Sequence, residues 1–272
     1  LGNLTLTGSR VVGIKGDRAA FAGPVYLNDG FYSGAIVSFV AATIGGDLDC
    51  TDGVFTKLDN EENALHCRGT KITGNVHLCN RFASSGRVSF ASAVIAGDLR
   101  LSGATIKVDK GLALDCDVVT VGGSVFLNVH GEPSPQRFTS VGSVSFYGAE
   151  IKSDLDCSGG SFPYLKGSEP ELKGRALNLN GAEIAGIARL SRTKGTNSIP
   201  FEANGCVALY GTNIGVYLDC EGGRFMAPEV EVDVPQPAIE GTSIKVTGCV
   251  FLDYGFTSDG EVRLVERRSA SS

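Results

Sequence analysis

The stretch Val37-Ser38-Phe39-Val40-Ala41-Ala42-Thr43-Ile44-Gly45-Gly46-Asp47-Leu48-Asp49-Cys50 decides the fold, because the chain keeps rewriting it. Taking Val37 as position zero, Ile44 lies at position seven, Leu48 at eleven and Cys50 at thirteen. The same frame fits units that start at Ile14, Val37, Leu65, Val88, Leu114, Val144, Leu177, Val207 and Ile239, with a remnant at Leu4 and a further start at Val262. Position seven reads Phe21, Ile44, Ile72, Ile95, Val121, Ile151, Ile184, Ile214 and Val246. Each unit alternates apolar and other residues with period two and is punctuated by glycine, which is the pattern of short half-buried strands. Strands repeated at a fixed period build a solenoid.

The expected fold class is therefore all-β: one right-handed parallel β-helix (β-solenoid) of about ten coils over residues 1–265, with a tail at 266–272. Right-handed connection is the usual hand of a parallel crossover. At the spacing of neighbouring strands such a rod is roughly 45 to 50 Å long. A single domain is expected because each coil needs its neighbours to bury its faces. Position thirteen reads Leu27, Cys50, Leu78, Leu101, Leu127, Cys157, Leu190, Cys220 and Leu252, so leucine and cysteine alternate except at Leu101. Alternation of large and small residues lets adjacent layers interdigitate, so the true repeat spans two coils. Length variation falls between position thirteen and the next unit, which places the inserts along one edge of the rod. Met226 to Pro237 is acidic and proline-rich and is expected to be extended and mobile.

Composition excludes some functions. The net charge of −6 argues against binding nucleic acid through phosphates, which takes a basic face. No apolar run reaches the roughly 18 residues of a membrane-spanning helix. None of the eight cysteines forms a CxxC pair, so neither a disulfide framework nor a zinc site is indicated. Cys50, Cys157 and Cys220, like Cys67 and Cys116, read as small core residues, which favours a reducing, cytoplasmic compartment. The chain starts almost inside a repeat without an initiator methionine and reads as a fragment or a processed product. Targeting segments are expected to lie outside it.

The strings IGGDLDC (44–50), SDLDCSGGSF (153–162), GVYLDCEGGRF (215–225) and GCVFLDYGF (248–256) resemble repeats of bacterial, chiefly actinobacterial, proteins labelled membrane-associated oxidoreductases. The resemblance covers nearly the whole chain and implies repeat architecture and a bacterial origin. It brings no activity or cofactor with it, because the chain has no GxGxxG opening a helix, no CxxCH and no iron–sulfur cysteine spacing. A looser similarity is to pentapeptide-repeat and bactofilin-type solenoids, which scaffold, polymerise or mimic ligands.

Three sets of residues invite a functional reading. Position twelve faces outward and reads Tyr26, Asp49, His77, Arg100, Phe126, Asp156, Arg189, Asp219 and Phe251. Such a column could grip a polysaccharide or peptide, with aromatic faces stacking on apolar rings. Equally, stacked opposite charges blunt repulsion on a solvated sheet. Asp49, His77 and Cys79 could form a three-ligand metal patch, which Arg100 would oppose. The pairs Asp47/Asp49 and Asp154/Asp156, with Asp98 beside Arg100, suit acid–base work on glycans. A turn role, each carboxylate bonding its own backbone, accounts for the recurring aspartates as well. The expected function is a non-catalytic scaffold or binding rod that associates end to end, since open solenoid ends carry unpaired strand edges. A glycan-binding or glycan-cleaving helix and an acidic ligand mimic are the alternatives.

Overall fold

The computed structural model describes residues 1–131, 134–165, 174–229 and 236–265. The chain runs from Leu4–Thr5 to Val262–Val265 as short strands without a helix among the described residues. Successive coils pair in parallel; the antiparallel exception is the hairpin of Val129–His130 with Gln136–Arg137. Each coil has four sides. Face 1 carries Val25–Tyr26 and its equivalents in a ten-stranded ladder, and face 4 carries Thr43–Ile44 and its equivalents in a nine-stranded one. Faces 2 and 3 (Tyr32–Ser33 and Val37–Ser38 in one coil) are joined in a single 18-stranded sheet, because Thr105–Asp115 and Thr139–Ser145 run through both. The whole is a parallel β-solenoid, as the repeat implies.

Face 2 lies inside the segment that varies in length. The inserts leave from its two corners, so they gather on one side of the rod. Residues 128–131 with 134–137, and residues 191–200, rise between faces 1 and 2, and residues 57–62 and 107–112 between faces 2 and 3. The tail at 266–272 and residues 230–235 of the proline-rich stretch lie outside the described residues.

The core follows the frame. Ile44, Ile72, Ile95, Ile151, Ile184 and Ile214 form one column of face 4 and are all at most 2% exposed. At the last rung of face 1, Val250 and Leu252 are 38% and 37% exposed, because among the described residues no strand stacks beyond them. A second column comes from face 2. Phe31, Phe55 and Phe82 stack with ring centroids 5.3 and 5.2 Å apart. Phe138, Phe162, Phe201, Phe225 and Phe256 continue the stack at 5.1 to 5.3 Å. These rings come from alternating backbone positions. Phe55 is in register with Ser33 and with Ser84, so Phe31 and Phe82 enter the column from two residues earlier in their strands. Odd units thus read Phe-x-Ser or Phe-x-Ala, and even units read Gly-x-Phe. A methyl at Gly53, Gly160 or Gly223 would come within 2.8 Å of the ring two residues on. The unit with Leu101 in place of Cys is the one in which Ala104-x-Ile106 replaces Gly-x-Phe, so a smaller face-2 residue accompanies a larger face-1 residue. Ser33 and Ser84 each donate a hydrogen bond to a turn carbonyl two residues on, whereas Ser140, inside a continuous strand, has no such turn and its Oγ is buried without a partner.

The corner from face 3 to face 4 turns through a left-handed residue at position four. Glycine serves in four units (Gly69, Gly148, Gly181, Gly211), but Arg18, Ala41, Ser92, Val118 and Ser243 adopt the same conformation, with φ of 55 to 61°. For the β-branched Val118 (φ 56°) this is a strained position that the surrounding ladder enforces.

The aspartates at position ten (Asp47, Asp98 and Asp154) tie one coil to the next in place of the expected bond to their own backbone, whereas Asp49, Asp156 and Asp219 at position twelve do accept the amide two residues on. Asp47 Oδ1 accepts the Asn75 amide at 2.7 Å, Asn75 Oδ1 that of Asp98 at 2.9 Å, and Asp98 Oδ1 that of Ser124 at 2.8 Å. Asp154 Oδ1 accepts the Ile187 amide at 2.8 Å. The approach needs an absent side chain just before each donor: a methyl at Gly74, Gly97, Gly123 or Gly186 would sit 2.1 to 2.3 Å from the accepting oxygen. Where the acceptor is the shorter Ser124, the residue before the donor is Ser153; where Ile187 offers no acceptor, it is Val216. Gly123→Ala should therefore cost about 1 to 3 kcal/mol by breaking a buried amide's bond. Asp98→Ser in the same chain should recover much of that loss, because it recreates the Ser124/Ser153 pairing. A double-mutant cycle by urea denaturation measures the coupling, and additive losses would refute the pairing.

Candidate binding cleft

The nine outward residues of face 1 form one continuous ladder. Tyr26 is in register with Asp49, Asp49 with His77, His77 with Arg100 and Arg100 with Phe126. Phe126 then pairs with Asp156, Asp156 with Arg189, Arg189 with Asp219 and Asp219 with Phe251. Their polar bonds mostly run sideways. Arg100 holds Asp98 of its own strand at 2.6 Å and lies over the Phe126 ring, 4.8 Å from its centroid. Arg189 holds Asp154 at 2.9 Å. Two diagonal relays repeat: Thr7 donates to Asn28, which donates to Asp49 at 2.9 Å, and Ser102 donates to Asn128, which donates to Asp156 at 2.9 Å.

Asp49, His77 and Cys79 are not drawn together as a ligand set. Asp49 is occupied by Asn28 and by the Thr51 amide. His77 Nε2 faces Asp47 at 3.9 Å, and the Cys79 thiol donates to the Arg100 carbonyl oxygen at 3.5 Å. Among the described residues no group of three His, Cys, Asp or Glu side chains is placed to hold a metal ion.

Repeat symmetry breaks most strongly at the corner of faces 1 and 2 in the fifth to seventh units. There the hairpin 128–137 and the loop 191–200 stand on either side of a short turn, Ser158-Gly159-Gly160. A cleft of about 400 Å³ lies between Val129, Gly131 and Pro135 on one wall and Thr193, Lys194, Thr196, Asn197 and Ile199 on the other, and Val129 and Thr193 close over the turn at its base. A second space of about 250 Å³ shares Val129, Thr193 and Lys194 and opens onto face 1 at Asn128, Asp156, Arg189 and Asp219. The floor is tight: a methyl at Gly159 (φ +71°) would lie 2.6 Å from Val129 Cγ2 and 2.8 Å from Thr193 Cγ2.

Arg137 fixes the two walls. Its guanidinium donates to the carbonyl oxygens of Gly159, Gly160 and Pro200, each at 2.9 Å, and to Glu202 at 2.7 Å. The loop is also closed on itself, since the Thr193 amide donates to the Ile199 carbonyl oxygen and the Ile199 amide to Thr193 Oγ1, both at 2.8 Å. At the face-1 end Glu221 lies beside Asp219 and Asp253; desolvation first, then these two carboxylates, raises its carboxyl above the ordinary value. Of the face-1 column, the cleft takes up Asp156, Arg189 and Asp219, and the remaining members lie outside it. Lys194, Thr193 and Arg137 lie in inserts with no counterpart in other units, so the repeat frame gave no signal for them.

No family model, no curated protein and no solved structure matches this chain.

The cysteines divide by exposure. Cys50, Cys67, Cys116, Cys157 and Cys220 are free and fully buried, Cys206 is buried with 8% exposure, Cys79 is half-buried and Cys249 is exposed. Burial pushes the five fully buried thiols well above their ordinary value and raises that of Cys206 as well. Alkylation of the native protein, followed by mass spectrometry, should modify Cys249 first and Cys79 next, and should leave the five untouched until unfolding.

His66 on face 3 supplies a pH dependence. Burial lowers its imidazole below the ordinary histidine value, with Asp17 and Asp115 pulling upward and Arg68 and Arg87 downward. The unfolded chain thus takes up this proton more readily than the folded one. The resulting stability is complete above about pH 6.5 and is lost as pH falls from there through the lowered value. Thermal melts of His66→Gln between pH 7 and 5 should show a flatter profile than wild type; superimposable profiles would refute it.

Proposed function

We propose that the chain is a non-catalytic binding rod that presents an extended polar ligand surface along face 1. The observation that carries this reading is the unbroken outward ladder from Tyr26 to Phe251, walled by inserts at a single place. Its aspartates, read from the sequence as candidate acid–base pairs, are engaged in holding coils together, and Arg100 and Arg189 are engaged by those aspartates. A long polar chain such as a polysaccharide suits a flat ladder with hydrogen-bonding groups at seven of its nine rungs and phenyl rings at the other two. Affinity electrophoresis through gels containing soluble polysaccharides should show retardation, with no new reducing ends in the same samples. Release of reducing ends would replace the binding rod with a glycan-cleaving enzyme, and free migration through every gel would overturn the polysaccharide reading.

A second reading concerns the ends. Leu4 and Leu6 at one end are only partly covered, and Val250, Leu252 and Tyr254 are exposed at the other. These rungs leave strand edges and apolar side chains open to further coils, either of a second copy or of a longer chain. Light scattering at rising concentration should report growing assemblies; a monomer throughout would overturn association between copies.

A further inference from the structure

We propose that the cleft between the hairpin 128–137 and the loop 191–200 holds one acidic sugar residue of a glycan, with Lys194 binding its carboxylate. The proposal rests on the binding-rod reading and names the ligand chemistry at one place on the rod.

The width is set by the fold. The walls rise from the fifth and seventh units, two strand spacings apart, or roughly 9 to 10 Å between backbones. That gap, filled partly by Val129 and Thr193, takes a single ring or a single extended chain. The about 400 Å³ of the main space lies within the range of small-ligand sites.

The backbone at the floor has little left to offer. The Val129 amide donates to Ser158, the Gly159 amide to Ser191, the Arg192 amide to Glu221 and the Thr193 amide to Ile199. At the base of the cleft, an extended peptide, which is read through main-chain bonds, finds these donors taken. What faces the space is a set of side chains: the hydroxyls of Thr193 and Thr196, the amide of Asn197 and the carboxylate of Asp219, with Asn128 and Asp156, already bonded to each other, at the face-1 end. These donors and acceptors match sugar hydroxyls, while Val129, Pro135 and Ile199 match the apolar side of a pyranose ring.

Charge narrows the class further. Lys194 lines both spaces and has no carboxylate partner among the described residues; Arg189 is held by Asp154, and Arg192, which lines the second space alone, lies beside Glu221. Lys194 is thus the one charged residue lining the main space, which favours one anion there. Asp156 and Asp219, with Glu221 beside them, repel a doubly charged phosphate more than a single carboxylate set among hydroxyls. Arg137 holds both walls before any ligand arrives, which reduces the ordering cost of binding.

Isothermal titration calorimetry with α-1,4-linked trigalacturonate, and with the neutral trimer in which each carboxyl is reduced to hydroxymethyl, tests this. The acidic trimer should bind at least about tenfold more tightly than the neutral one, and Lys194→Ala should abolish most of that preference. Asp219→Asn should weaken both trimers, and Lys71→Ala, exposed on face 4 and away from the binding face, should change neither. Lys194 and Asp219 are surface groups, so thermal melts of these variants should match wild type. Equal binding of the two trimers, indifference to Lys194→Ala, or no binding of either overturns the proposal. Should long polysaccharides still retard the protein while the cleft variants make no difference, the binding rod stands and the acidic-sugar site alone falls.

Discussion

Every strand side chain on the inner rungs of this protein has a counterpart about 4.8 Å above and below it. Stacked parallel strands impose that spacing on all four faces, and most of the structure consists of ways to live with it. Isoleucine is narrow enough to repeat at every rung of face 4, and does so. A phenyl ring brought in at the same backbone position in each coil would crowd its neighbours. The face-2 rings enter from alternating positions, with glycine or a small residue beside each, and reach a regular stack near 5.2 Å. The aspartates meet the same constraint differently: each reaches to the next rung's amide, and the next rung gives up a side chain to admit it.

Much of this was legible in the sequence. The frame located faces 1, 3 and 4, the buried isoleucines and the buried cysteines, because on those faces the spacing within a unit is constant. Face 2 stayed hidden because its strand lies inside the segment whose length varies, so Phe138 and Phe201 fall at offsets that no fixed frame reaches. Leu101 stood out as an exception in the cysteine column, and its reason is Ile106 on a face the frame did not contain. The left-handed corner was masked by residue type: Arg18, Ala41, Ser92 and Val118 turn where glycine would advertise a turn. The outward column was read correctly as a ladder, but side-chain partners were not. His77 faces Asp47, not Asp49, because residues on one strand face alternate and the diagonal neighbour is within reach.

The cleft shows what a repeat frame cannot see. Its floor is an ordinary short turn, and its walls are inserts in units that flank it. Neither wall forms a site alone, and they are brought together by skipping one coil. Arg137 makes the arrangement a single body by spending four of its five donors across the floor and the far wall. Electrostatics divides accordingly. Outside the cleft Arg100 and its aspartate are bound up within the rod, and in the main space Lys194 stands without a carboxylate partner among the described residues.

The alternating entry of the phenylalanine rings gives the rod a parity. A Phe-x-Ser coil set directly on another would bring two rings to the same backbone position and leave a gap at the next. A Gly-x-Phe coil repeated would do the same one step out of phase. The aspartate-to-glycine contacts add a direction, since each acceptor selects the residue above it and never the one below. Gain or loss of a single coil therefore disrupts the core at the junction, whereas gain or loss of an adjacent pair preserves it. Gene duplication and protein engineering meet the same rule here: the length of this rod is counted in twos.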